Sequence, residues 1–352
     1  MTKPALAGKG DKMLKKTIAA VLAALMVLTL AACASQGEPE PVSEDYSDAL
    51  KKVTLALDWT PNTNHTGIYV ALAKGYFEEE GLDVTVVQPP DAGSASLVAS
   101  GKAEFGIDAQ DTMANAITGS EKLPITAIAA MMQHNTSGII SRKEDGITSP
   151  KGMAGHNYAT WEMPIEQAML KKLVTDDGGD FSQVELIPAL VTDEATGLST
   201  KQVDTIWVFW GWAGIACEQA GVDVNYWDFA SLDDTFDYYT PVLIANNEFL
   251  AGNADTAKAF LRALSKGYQD AVNDPEGSAY ALMEANPELQ DSEELVMASQ
   301  KYLANYYIAD GKPWGYIDPA RWNKFYKWID DNGLAEEKLG ENAGFSNDYL
   351  PE

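Results

Sequence analysis

KVTLALDWTPNTNHTGIYVALAKGYFEEEGLDVTVVQP (residues 52–89) carries a helical run between two β-rich ones. KVTLALD (52–58) reads as a strand, and IYVALAKGYFEEEG (68–81) as a helix that Gly81 closes just past its last turn. LDVTVVQP (82–89) is a second strand. Downstream, SASLVASG (94–101) opens with serines suited to capping a helix, and AEFGIDA (103–109) is a third strand. This β-α-β-α-β spacing predicts a parallel sheet covered by helices.

The pattern restarts near Ser149. GHNYATW (155–161) is strand-like, and PIEQAMLKKLV (164–174) is an amphipathic helix with Pro164 at an early position. VELIPAL (184–190), DTIWVFWGW (204–212) and YYTPVLIAN (238–246) read as strands. Beyond them the chain turns helical over 255–272, 278–286, 292–307 and 318–333. Two α/β lobes with a helical carboxyl part are expected. In open parallel sheets ligands sit beyond the carboxyl ends of the strands, so residues just after each strand are the candidates for a site.

The amino terminus reads as an address. Lys15 and Lys16 precede an apolar run from Thr17 to Ala32, shorter than the roughly 20 residues of a membrane span. The run ends Leu30-Ala31-Ala32-Cys33, which resembles the bacterial lipobox. A signal peptide over 1–32, lipidation at Cys33 and a flexible tether over 33–50 are expected, with Met1 or Met13 as the start. Such a chain works outside the cytoplasm, anchored to the membrane by lipid.

The 352 residues carry 25 Lys+Arg against 52 Asp+Glu, a net charge of −27 that argues against nucleic-acid phosphates as partners. Two cysteines and three histidines leave no basis for a disulfide framework or a dense metal site. GxGxxG, GxxxxGK[ST], GxSxG, HExxH and CxxC are all missing. Binding rather than catalysis is the expectation, with no cofactor and no metal.

Five segments follow strands. In Asp58–His65, Trp59 offers a stacking face, Asn62 or Asn64 can donate and accept at a heterocycle edge, and His65 can contact ligand or cap the next helix. Gly93, Ser94 and Ser96 expose backbone N–H groups at a helix start, and Asp108 and Gln110 follow the AEFGI strand. Trp161 and Glu162 precede a helix carrying Glu166; a carboxylate beside an aromatic plane suits an amino-substituted ring. Of the three tryptophans in WVFWGW (207–212), Trp210 and Trp212 flank Gly211 where the strand should end and are the better stacking candidates, and Tyr239 completes the set.

DWTPNTNHTGIYVALAKGYFEEEGLDV (58–84), SGKAEFGI (100–107), WEMPIE (161–166), FWGWAGI (209–215) and DYYTPVLIANNEFL (237–250) together resemble the NMT1/THI5-like (SsuA/THI5) substrate-binding proteins of ABC transporters, over roughly 52–335. The resemblance implies a type II periplasmic-binding fold: lobe 1 from 51–140 plus 246–340, lobe 2 from 141–245, and crossovers near 139–142 and 243–247. It points to the branch that binds a thiamin pyrimidine precursor, hydroxymethyl- or formylamino-pyrimidine, as a monomer delivering ligand to a permease with a cytoplasmic ATPase. Riboflavin or another flavin is the alternative ligand. Sulfonates should want Lys or Arg at the strand ends, and the five segments contain none. A thiamin pyrimidine synthase is the alternative of another class. Its Lys and His stand four residues apart where this chain has Asp108 and Thr112, and its cysteine-rich segment falls on Thr235–Tyr239, which has no cysteine.

Overall fold

The computed structural model describes residues 50–90, 92–188, 191 and 193–351. The expected signal peptide, Cys33 and nearly all of the expected tether lie outside these residues. Ten strands form: β1 Lys51–Ala56, β2 Leu82–Val87, β3 Phe105–Asp108, β4 Ile125–Ala130, β5 Ser137–Arg142, β6 Asn157–Thr160, β7 Glu185–Pro188, β8 Thr205–Phe209, β9 Val224–Asp228 and β10 Val242–Asn246. They build two five-stranded sheets, ordered β2-β1-β3-β10-β4 and β7-β6-β8-β5-β9. The helices of seven residues or more are α1 Thr66–Ala73, α2 Gly93–Ala99, α3 Gln110–Thr118, α4 Pro164–Asp176, α5 Ala254–Asn273, α6 Pro275–Ala285, α7 Glu293–Leu303 and α8 Pro319–Asp331.

The sheets are mixed rather than parallel. β1, β2 and β3 run parallel, while β10 is antiparallel to both β3 and β4. In the second sheet β6, β7 and β8 run parallel, and β5 is antiparallel to β8 and β9. The cause is connectivity: each antiparallel strand is the one that has just arrived from the other sheet. β4 leaves the first sheet at its carboxyl edge, and residues 131–136 carry the chain to the start of β5, at the carboxyl edge of the second. Residues 229–241 make the return from β9 to β10 between the same two edges. Six residues span at most about 20 Å. The carboxyl edges of both sheets therefore border one cleft.

These crossings lie a few residues before the expected 139–142 and 243–247. β5, SGIISR, and β10, VLIAN, are buried throughout, and β5 carries two serines and an arginine, so hydropathy alone does not reveal which sheet they join. The expected helix over 68–81 is broken in two: Gly75, at φ 72°, separates α1 from a short turn at Tyr76–Glu79. The expected strand over 204–212 ends at Phe209, and Trp210–Gly214 forms a π-helical turn.

The first lobe is built around Phe105 of β3, whose ring stacks on Phe260 of α5 at 4.0 Å and 9°. Both are fully buried, as are Ile107, Leu243, Leu264 and Tyr268. Truncating Phe260 to alanine would cost about 3–5 kcal/mol. Helices α1 and α5 touch at glycines, where a Cβ on Gly67 would meet the Tyr268 ring at 2.4 Å and one on Gly267 would meet the Gly67 carbonyl at 2.0 Å. That close approach lets the Tyr268 hydroxyl donate to the Asn64 carbonyl at 2.7 Å, fixing the loop after β1.

The two crossings are tied to each other. Asp237 accepts from the Asn135 N–H at 2.9 Å and pairs with His134 Nδ1 at 2.7 Å. His134 Nε2 lies 3.2 Å from Asp310, which Arg321 of α8 also holds at 3.0 Å. The hydrogen bond to Asp237 raises the His134 imidazole above its ordinary pKa.

Candidate functional site

The loop after β1 carries Trp59, 62% exposed, which is unusual for so large an apolar side chain. The loop is stiff beneath it. Asn62 accepts from the Asn64 N–H at 2.9 Å and donates to the Thr60 carbonyl at 3.0 Å. His65 is fully buried; its Nδ1 accepts from the Asn62 N–H at 3.2 Å, which leaves Nε2–H to donate to Asp58 at 2.8 Å. The side chains of Asn62 and His65 thus both bond within the loop. The fully buried His65 positions Asp58 and the loop, while the half-buried Asn62 keeps one amide N–H without a partner among the described residues.

Ser94 and Ser96 are also spent internally. The Ser94 hydroxyl donates to the Ile107 carbonyl of β3, and Ser96 donates to the Ala92 carbonyl at 2.8 Å. Gly93, at φ 79°, sets the turn into α2 while its N–H bonds the Pro90 carbonyl at 2.8 Å. Gln110 is fully buried, donating to the Trp322 carbonyl at 3.0 Å and accepting from the Tyr239 N–H at 3.0 Å. It joins α3, α8 and the second crossing, so it is a structural residue.

Asp108 behaves differently. One carboxylate oxygen, Oδ1, accepts from the Ala109 N–H at 2.8 Å and from the Thr112 hydroxyl. Its Oδ2 makes no hydrogen bond among the described residues. Burial pushes the carboxyl up to about 7 against those hydrogen bonds, and the charges of Asp111 and Asp58 push the same way. Asp111 is itself raised by burial, and its Oδ1 is buried without a partner.

In the second lobe, Trp161 stands at the end of β6, 43% exposed, with its inner side tilted on Trp207 at 5.4 Å. Glu162 is exposed and adopts φ 61°, a left-handed conformation that costs a non-glycine residue energy and tends to mark functional positions. The Thr160 hydroxyl holds its N–H at 2.9 Å. Glu166 is buried and collects four donors: the Tyr158 hydroxyl at 2.7 Å, the Thr160 hydroxyl at 3.0 Å, and the N–H groups of Trp161 and Met163 at 3.1 and 3.2 Å. Burial drives the Tyr158 phenol well above its ordinary pKa, so it stays a donor. Glu166 therefore anchors the loop that presents Trp161 and Glu162, and has no acceptor capacity to spare for ligand.

Three aromatic candidates turn inward as well. Trp210 lies on its own turn, where a Cβ on Gly214 would meet its ring at 2.4 Å, and packs on Tyr226 at 4.6 Å. Trp212 packs against Tyr69, Leu282, Met283 and Val296 on the first lobe's helices. The same seam holds Ser299 of α7, which donates to the Gly211 carbonyl and lies 2.5 Å from the Thr63 hydroxyl. Tyr239 is 1% exposed, its hydroxyl accepting from the Asp318 N–H at 2.8 Å and its ring under Arg321. Tyr239 is a core residue, while Trp210 and Trp212 are half-buried, each packed on one side against a hydrophobic cluster. Sequence reasoning missed the seam because nothing marks Ser299 or Trp212 as partners across 87 residues.

Trp59, Trp161 and Glu162 are exposed and Asp58 and Asp108 partly so, each at or just after the carboxyl end of a strand. Among the described residues no cluster of His, Cys, Asp and Glu is arranged to hold a metal ion. Such a cleft can stack a flat ring and accept its N–H groups.

Two mixed α/β sheets meeting at their carboxyl edges define the periplasmic-binding-protein fold. The aliphatic sulphonate-binding protein SsuA of Escherichia coli shares it, with a TM-score of 0.65 at 14% identity over 86% of this chain and 94% of that one. The chain belongs to the NMT1/THI5 like family, whose pattern matches residues 62–278. It is 28% identical over 334 residues to the formylaminopyrimidine-binding protein of Halalkalibacterium halodurans, covering 92% of this chain and 96% of that protein. It is 26% identical over 249 residues to the 4-amino-5-hydroxymethyl-2-methylpyrimidine phosphate synthase of Schizosaccharomyces pombe, covering 64% and 66%.

Proposed function

We propose that this protein is the solute-binding component of an ABC importer and captures an aminopyrimidine precursor of thiamin, in hydroxymethyl or formylamino form, outside the cytoplasm. The observation that carries this reading is the pair of open indole faces, Trp59 and Trp161, one from each carboxyl edge of a shared cleft. A ring held between them gains about 1–3 kcal/mol per stacked face. Asp58, Asp108 and Glu162 supply acceptors, which suits a neutral ring bearing amino hydrogens and disfavours a sulfonate or phosphate. The two crossings act as the hinge, and closure presents a defined surface to a membrane permease coupled to an ATPase. A lipid on Cys33 would tether the protein, which acts as a monomer. The relative in H. halodurans, similar over almost its whole length, supports the ligand class.

The same reading makes the protein a carrier rather than a synthase. Asp108 and Thr112 bond each other where the resemblance implies the synthase needs an amine and an imidazole. Isothermal calorimetry of the protein with hydroxymethylpyrimidine, formylaminopyrimidine and riboflavin tests it. Saturable binding of a pyrimidine is expected; heat from riboflavin alone would move the protein to flavin uptake, and silence from all three would end the assignment.

A further inference from the structure

The donors and acceptors around Asp108 are unequal in a way that bears on which pyrimidine the cleft accepts. Oδ1 is fixed by two donors, the Ala109 N–H and the Thr112 hydroxyl. Thr112 is in turn held at the Ala109 carbonyl, 2.9 Å away. The carboxyl group therefore cannot rotate without losing both bonds, and Oδ2 stays as the one atom it can offer. Asp108 ends β3, the central strand of its sheet, at the edge that borders the cleft. The charged groups acting on it are Asp58 from the loop after β1 and Asp111 from α3, while the Tyr326 phenol of α8 lies within its field. No cation is among them.

We propose that Asp108 is the specificity-determining residue of the cleft, its Oδ2 accepting an N–H from the exocyclic amino group of a 4-aminopyrimidine and rejecting the 4-oxo analogue. This rests on the pyrimidine reading above and goes beyond it by assigning the amino-versus-oxo choice to one atom. An amino group meets Oδ2 as donor to acceptor. A carbonyl there meets the carboxylate as acceptor to acceptor, with the acidic side chains of Asp58 and Asp111 nearby. Burial pushes the Asp108 carboxyl up to about 7, so above that pH, where Oδ2 is a charged acceptor, the amino preference is expected to be roughly ten- to a hundredfold, and it should shrink as pH falls below 7.

Asp108→Asn reverses the offer. The Ala109 N–H requires an acceptor, so the amide oxygen takes the place of Oδ1 and the amide NH2 that of Oδ2. Calorimetric titration of 4-amino-5-hydroxymethyl-2-methylpyrimidine and its 4-oxo counterpart into the full-length protein provides the test. The original protein should prefer the amino compound by tenfold or more, and Asp108→Asn should prefer the oxo compound. Asp108→Ser keeps a small acceptor for Ala109 but has no Oδ2, so it should bind the two alike; it decides the matter if the asparagine variant fails to fold by circular dichroism. An undiminished amino preference in the folded variants would overturn the role of Asp108 and leave the pyrimidine reading intact. Failure of both compounds to bind while formylaminopyrimidine binds would overturn this inference alone; failure of all three would remove the reading with it.

Discussion

Trp59 and Trp161 leave equivalent strand ends in the two lobes, yet the residues that hold their loops are chemically opposite. In the first lobe the anchor is His65, six residues on, which makes two hydrogen bonds, to Asn62 and Asp58. In the second it is Glu166, five residues on, which gathers four donors around one buried carboxylate. Both anchors sit at the third position of a helical turn and reach back to the preceding loop. The difference lies in what each leaves open: the histidine loop exposes Asp58, and the glutamate loop forces Glu162 into a left-handed conformation facing outward. Buried polar groups at these strand ends shape the loops, and the open groups beside them are the ones a ligand can meet.

The comparison breaks most visibly at Glu166. Glu166→Ala leaves four donors around a dry cavity, each costing about 1–3 kcal/mol if unmet; allowing for relaxation and water entry, a net loss of about 3–5 kcal/mol is expected in urea unfolding. A loss under about 1 kcal/mol would show that the carboxylate is not the anchor. His65→Ala should cost less, about 1–3 kcal/mol by the same assay, because only the Asn62 N–H is stranded and Asp58, whose side chain is 32% exposed, can turn to water.

Next come the presented residues. Trp161→Ala should weaken pyrimidine binding tenfold or more, about 1.4 kcal/mol, while changing thermal stability little. Trp59→Ala should do the same with a still smaller effect on stability, since its ring has no aromatic neighbour comparable to Trp207. Equal losses of stability and affinity in either variant would make these tryptophans part of the fold and not of the site.

The smallest effect belongs to the pair of crossings between the two sheets, which His134 and Asp237 tie together. His134 has its pKa raised in the folded protein by Asp237, with Asp310 adding to this and Arg321 opposing it. A raised value means the paired imidazolium stabilises the fold fully below the unfolded pKa near 6.5 and is lost as pH rises through the folded value. His134→Gln should flatten stability against pH in that window by less than about 1 kcal/mol, whereas Trp59→Ala and Trp161→Ala should leave the slope unchanged. A slope that His134→Gln does not alter would assign it to other groups.

Much of the fold was readable in the sequence because periodicity, glycine stops and strand–helix alternation are local. Gly81 ends its turn with φ 76° as expected, β2, β3, β6, β7 and β10 fall within the expected runs, and β1 begins one residue earlier than expected. The crossings lie a few residues before the expected positions because β5, SGIISR, buries Ser137, Ser141 and Arg142 and has no strand-like hydropathy pattern, while β10 is apolar on both faces and carries no information on which sheet it enters. The candidate site was legible as a set of places and not as a set of side chains. Trp59, Asp108, Trp161 and Glu162 keep open surface or a free acceptor, whereas His65, Gln110 and Glu166, two to six residues away, are buried, as is Tyr239. That burial depends on which backbone groups need partners, as when Glu166 satisfies Trp161 and Met163. Trp210 and Trp212 escaped for another reason, since a π-helical turn replaced the expected strand end.

Tryptophan fluorescence during titration with formylaminopyrimidine, in the original protein beside Trp59→Ala and Trp161→Ala, tests the central claim most directly. A ring held between the two lobes predicts saturable quenching in the original protein and a rise in Kd of tenfold or more in each variant. Equal Kd values in all three proteins would contradict it.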